Sequence, residues 1–78
     1  MTVKEFCELH QNNVIQVFGK PRYRRGAVQQ TLYFSDEDNF KCVEHFEVVR
    51  FRKVNTGCAG LRNMRGLAEP NYVIDEIR

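Results

Sequence analysis

Two tetrapeptides repeat one spacing: Cys7-Glu8-Leu9-His10 and Cys42-Val43-Glu44-His45. Two thiolates and two imidazoles make a tetrahedral zinc set, and a Cys and a His three residues apart on a helix can face one ion. The tetrads hold both histidines and two of the three cysteines. Their order departs from ordinary zinc motifs, which pair Cys with Cys and His with His across a tight turn. Cys7 and His10 also share a helical face with Val3 and Phe6, so the preferred reading is a small buried thiol beside a half-buried imidazole. Zinc on Cys7, His10, Cys42 and His45 stands as the alternative, and no cofactor is expected. Cys58, within Thr-Gly-Cys-Ala-Gly, has an exposed loop setting. A cysteine nucleophile needs a base and a group that orients the base, and no residue supplies the second at a recognisable position. Cys58 therefore reads as a loop thiol open to oxidation.

The chemistry with the clearest sequence address is cationic. Gly19 to Gly26, Gly-Lys-Pro-Arg-Tyr-Arg-Arg-Gly, carries four positive charges and no negative one. The chain has 12 basic and 10 acidic side chains; without these four cations it has eight against ten, so the net charge of +2 originates in this segment. Such a segment attracts a polyanion, nucleic acid or an acidic protein surface. Two further basic groups follow, Arg50, Arg52 and Lys53, then Arg62 and Arg65. If all three converge, they form an arginine-dominated surface with Tyr23 available to stack, and arginine suits phosphate and carboxylate through its bidentate fork. Taken singly, each group also reads as a solvated face. Asp36, Glu37 and Asp38 splay apart and lack the spacing of a calcium loop, so they fit a helix N-terminus better than a metal. Gly57 and Gly60 match no phosphate-binding glycine loop.

The elements that must position these groups are short. Thr2 and Glu5 form a capping box before Val3, Phe6, Cys7 and His10, which predicts a helix over about 3–10. Val14 to Phe18 is a β-branched run ended by Gly19 and reads as a strand. Val28 to Phe34 alternates, with Val28, Leu32 and Phe34 on one side and Gln29, Thr31 and Tyr33 on the other, and predicts a second strand paired with the first in a hairpin. The basic segment then lies at the hairpin tip or extends its ladder. Ser35 before three acids predicts an N-cap and a short helix to about His45, although Phe40, Cys42, Glu44, Phe46 and Val48 also fit one face of a strand. Glu47 to Val54 reads as a strand with Val49 and Phe51 opposite Arg50 and Arg52. Residues 55–69, with three glycines, read as an irregular functional loop, and Tyr72 to Ile77 as a last strand. The order predicts an α+β domain: a small antiparallel sheet of about four strands with one face covered by the N-terminal helix and the possible second short helix.

Seventy-eight residues make one small domain, which buries only about 60% of the surface its unfolded chain exposes, room for a thin core rather than a deep substrate cavity. No apolar run approaches the roughly 20 residues of a membrane span, and the N-terminus lacks a signal-peptide apolar core. A non-enzymatic cytoplasmic protein with reduced thiols is expected, monomeric or dimerising through an exposed sheet edge.

The opening Met-Thr-Val-Lys-Glu-Phe-Cys-Glu-Leu-His, with Phe-Glu-Val-Val-Arg-Phe and Asn-Tyr-Val-Ile-Asp-Glu-Ile near the end, resembles small proteins encoded by bacteriophages and mobile elements. The resemblance covers about the first 18 residues and the last two strands and assigns no site residue. It implies a context: proteins of this kind bind and block a host protein, and anti-CRISPR inhibitors are one class. The expected function is therefore an inhibitor or modulator that docks on an acidic surface of a host or defence-system protein. Lys20, Arg22, Tyr23, Arg24 and Arg25, with Arg50, Arg52, Arg62 and Arg65, are its candidate contacts. Nucleic-acid binding through the same arginines is the alternative.

Overall fold

The capping box at Thr2 and Glu5 is formed. Thr2 Oγ1 accepts from the Glu5 amide at 3.2 Å, and Glu5 Oε1 accepts from the Thr2 amide at 3.0 Å. It starts helix α1 (Val3–Leu9) in the computed structural model of the chain, which describes residues 1–54 and 69–78. Seven residues are too few for a helix to hold alone in water, so packing must hold this one. Val3 and Phe6 are 0% and 1% exposed, and the first-turn amides of Val3 and Lys4 donate to the Phe46 and Glu44 carbonyls at 2.8 and 2.9 Å. Two of the orphan donors of the helix end are thereby satisfied by the segment that the helix packs on.

Six strands follow: β1 (Ile15–Phe18), β2 (Arg22–Arg24), β3 (Ala27–Gln29), β4 (Leu32–Phe34), β5 (Val48–Lys53) and β6 (Tyr72–Ile77). Four form a sheet of order β4-β1-β6-β5, while β2 and β3 form a separate two-stranded sheet. The fold is α+β, but the main sheet is mixed rather than antiparallel throughout. β1 pairs antiparallel with β4 and parallel with β6, and β6 pairs antiparallel with β5. The last strand thus inserts between β1 and β5. Its Val73 and Ile74 are both buried, as a central strand covered on both faces requires. The parallel register sets Ile15 beside Tyr72 and Val17 beside Ile74, so these four face α1 together. Val3 and Phe6, Ile15 and Val17, Ile74 and Ile77, and Phe40 and Val43 form one core cluster.

Three expectations are corrected. The second helix is only a 3-10 turn, Asp38–Cys42, whose N-cap is Glu37 and not Ser35. Ser35 instead completes β1, its Oγ accepting from the Ile15 amide at 2.9 Å and its own amide donating to the Ile15 carbonyl at 2.9 Å. The strand read over 28–34 divides into β3 and β4, which belong to different sheets. Of the two sides, that of Tyr33 packs on the core, while Leu32 is 41% exposed. Among the described residues no helix is long and apolar enough to cross a membrane. Residues 55–68, including Cys58, Arg62 and Arg65, lie outside the described residues.

Candidate functional site

The basic segment is neither a loose tip nor an extension of the β1–β4 ladder. It is the hairpin β2–β3, turned by Arg25 at φ 52° and Gly26 at φ 78°. Two consecutive residues of positive φ are what a type I′ turn requires, and this turn matches the right-handed twist of the flanking strands. Pairing runs Arg22 to Gln29, Tyr23 to Val28 and Arg24 to Ala27. Strand alternation then assigns the faces: Arg22, Arg24, Ala27 and Gln29 share one, and Tyr23 and Val28 share the other. Tyr23 is 79% and Val28 61% exposed. The sequence-based expectation that Tyr23 stacks beside the arginines therefore does not match the geometry, because Tyr23 points away from Arg22 and Arg24.

The junction with the sheet is tight. The Gly19 amide donates to the Thr31 carbonyl at 2.9 Å, and the Gln30 side-chain amide donates to the Gly19 carbonyl at 2.8 Å. The Tyr33 ring lies against Gly19, where a Cβ would stand 2.8 Å from Tyr33 Cε2 and 3.1 Å from the Thr31 carbonyl oxygen. Only glycine admits this approach. Beside it opens a cavity of about 420 Å³ lined by Lys20, Arg22, Gln29, Tyr33, Cys42 and Phe46, among others. Lys20 Nζ sits 4.8 Å from the Phe46 ring centroid, within cation–π range. A second, more open depression along the same hairpin face is lined by Arg24, Arg25, Ala27 and Gln29. Gln29 lines both, and among the described residues no carboxylate lines either. Among the described residues, no ion pair involves Lys20, Arg22, Arg24 or Arg25.

The second basic group lies elsewhere. β4 and β5 are opposite edges of the sheet, about 14 Å apart at ordinary strand spacing, and the hairpin grows from the β1–β4 side. Arg52 Nε is paired with Asp75 at 3.2 Å, and Arg50 stands opposite Glu76 in the ladder. A register shift around Arg50 breaks the alternation read for β5, and it leaves Phe51 with its ring 4.8 Å from that of Phe6 in an edge-on contact. The cationic face of β5 is thus partly neutralised by β6, and of the basic groups among the described residues only the hairpin cations line depressions free of carboxylates.

The two Cys-His tetrads do not gather their thiols and imidazoles into one ligand set. His10 stacks on Tyr72 and Phe6, with ring centroids 4.2 and 4.6 Å apart, while His45 lies against Phe46 at 4.3 Å. Burial, then the nearby Glu44 and Glu8 carboxylates, push the Cys7 thiol up to about 11, which opposes the thiolate that zinc needs. Among the described residues no three Cys, His, Asp or Glu side chains are grouped to hold a metal ion. Cys7 packs against the core, whereas Cys42 is exposed at the cavity.

Gln29 was missed as a residue of the candidate site, since it read as one polar position on a longer strand. The signal that finds it is Arg25-Gly26 taken as a two-residue turn, which pairs Arg22 with Gln29 across the hairpin. Comparison with known families, curated proteins and solved structures finds none that matches this chain.

Proposed function

We propose that this chain is a small non-enzymatic binding protein, acting in the cytoplasm, that blocks or modulates a host or defence-system protein through its β2–β3 hairpin. The observation that carries this reading is that every residue from 20 to 32 is exposed. A two-stranded hairpin is at best marginally stable in water, and this one supplies nothing to the core cluster. It presents an arginine-rich face and an opposed Tyr23–Val28 pair. Tyr and Arg are the residue types that most often anchor protein interfaces. Cations without carboxylate neighbours suit an acidic patch on the partner. The resemblance to small phage-encoded proteins supplies the class of target.

The test is affinity capture from bacterial lysate with and without nuclease, using the wild-type chain and the variant with Arg22, Tyr23, Arg24 and Arg25 all changed to Ala. A discrete protein retained after nuclease treatment and lost with the variant is expected. Retention by the variant would overturn the site. Nucleic-acid binding is favoured by one specific observation, since a two-stranded β-ribbon fits the major groove of B-DNA. That reading requires nuclease-sensitive capture and affinity that falls steeply with salt.

A further inference from the structure

We infer that the basic face of the hairpin is a trough for an extended acidic segment of a protein partner, with carboxylates at alternate positions meeting Arg22 and Arg24. This rests on the protein-binding reading above and assigns one face of the hairpin to it. Arg22 and Arg24 lie two apart on β2, so their stems are about 6.7 Å apart, the spacing of alternate side chains on any extended strand. Each guanidinium can then take one carboxylate of such a segment through a bidentate contact. Arg25 stands at one end of the trough and Lys20 at the other, and Gln29 lines both of its depressions. Gln29 offers a donor and an acceptor, which matches a peptide group; a phosphodiester is an acceptor only. The Lys20 end of the trough, about 420 Å³ with Tyr33 and Phe46 in its wall, is large enough for one aromatic or aliphatic side chain.

Charge distribution favours a short acidic peptide over a nucleic acid. The four cations are followed in the chain by Asp36, Glu37 and Asp38, and the chain outside them has more acids than bases. A polyanion that continues past the trough would meet that negative body, whereas a peptide of a few alternating acids would end before it.

The probe is a labelled peptide of Phe followed by Glu-Thr repeats, with a control of the same composition in which the glutamates are adjacent, and oligothymidylate as the nucleic-acid arm. Titration into the ¹⁵N-labelled full chain at low salt is expected to shift the amides of residues 20–31. The double variant Arg22→Gln, Arg24→Gln should weaken the alternating peptide about tenfold, whereas Lys4→Gln, which removes an exposed cation of α1 away from the hairpin, should leave it within about twofold. Equal affinity for the control peptide, absence of these shifts at millimolar peptide, or tighter binding of oligothymidylate through the same amides would overturn the trough. The lysate experiment separates the two levels. If the glutamine double variant still captures the protein that the four-residue alanine variant loses, the hairpin reading stands and the trough fails. If the four-residue variant also captures it, the hairpin reading fails.

Discussion

The helix-covered face of the main sheet and the β2–β3 hairpin are both made of short strands, yet they treat side chains in opposite ways. Phe6, Ile15, Val17 and Ile74 are at most 1% exposed, and each is placed by a neighbour from a distant part of the chain. The hairpin buries none of its side chains and is fixed by its own turn and by its junction at Gly19. On the proposed reading fold stability and recognition occupy separate residues, so either should be alterable with little effect on the other. The sharpest test of that division is Phe6→Ala. It should cost about 3–5 kcal/mol, a large share of the roughly 5–15 kcal/mol that holds a domain, and so lower the thermal midpoint by on the order of 15 °C or more, or abolish the cooperative melt. The four-residue alanine variant of the hairpin should melt within a few degrees of wild type. A hairpin variant as unstable as Phe6→Ala would break the comparison.

Gly19 is where the two regions meet, and its substitution should be felt by both. Gly19→Ala must move the Tyr33 ring or the Thr31 carbonyl, a cost of about 1–3 kcal/mol that thermal melts would record. Near-ultraviolet circular dichroism should change at the same time, because Tyr33 is displaced. An unchanged tyrosine signal would show that the hairpin is not braced against the sheet at this point.

The two described thiols divide along the same line. Cys7 packs on the core with its thiol pushed up to about 11 from 9.0, chiefly by burial and then by Glu44 and Glu8. Near pH 8 its thiolate fraction is then roughly a hundredfold below that of an ordinary thiol. In a Cys58→Ser background, iodoacetamide should modify exposed Cys42 well before Cys7, as read by peptide mass spectrometry. The same shift has a stability consequence. Between about pH 9 and 11 the unfolded chain releases this proton while the folded chain keeps it, so the contribution is intact below about 9 and declines as pH rises to 11. Cys7→Ser should flatten that alkaline decline.

A smaller effect is expected at the hairpin turn. Arg25 is an L-residue with a side chain at φ 52°, a conformation that costs roughly 1–2 kcal/mol outside glycine. Arg25→Gly should therefore tighten the hairpin, slowing amide hydrogen exchange between residues 22 and 29, and leave the global melt unchanged. Faster exchange in this variant would mean that the arginine side chain, not the turn geometry, orders the tip.

What was legible in the sequence was local. The Thr2–Glu5 box, the apolar spacing of Val3 and Phe6, and the β-branched runs of β1, β5 and β6 report on neighbours within a few residues, and each element forms near its expected place. The parallel β1–β6 pairing was not legible, because it joins strands more than fifty residues apart and no short-range pattern records which strand lies beside which. Alternation from Val28 to Phe34 suggested one strand, but Gln30 and Thr31 bond to Gly19 and switch the chain between sheets. The acidic run after Ser35 suggested a helix start, but the Ser35 hydroxyl is engaged by β1. The candidate site was legible as charge and not as geometry: Lys20, Arg22, Arg24 and Arg25 line two depressions that share Gln29, while Arg50 and Arg52 stand beside carboxylates of β6.

The gentlest probe of the division between the regions is acid. Hydrogen bonds from the Thr2 amide and then the Thr2 hydroxyl hold the Glu5 carboxyl below its ordinary 4.5. A carboxyl depressed in the folded state stabilises it fully above the ordinary value and loses that contribution as pH falls through the folded one. Helix signal and core resonances near Phe6 should therefore weaken on the acid side of about pH 4.5, and Glu5→Gln, which keeps an acceptor oxygen but does not titrate, should flatten that limb. The hairpin should not follow the titration, because no Asp or Glu occurs from residue 9 to residue 35. Hairpin amides that move together with those of α1 across this range would show that the two regions are coupled through the sheet. Recognition could then not be altered independently of stability, even at the weakest energetic link between the regions.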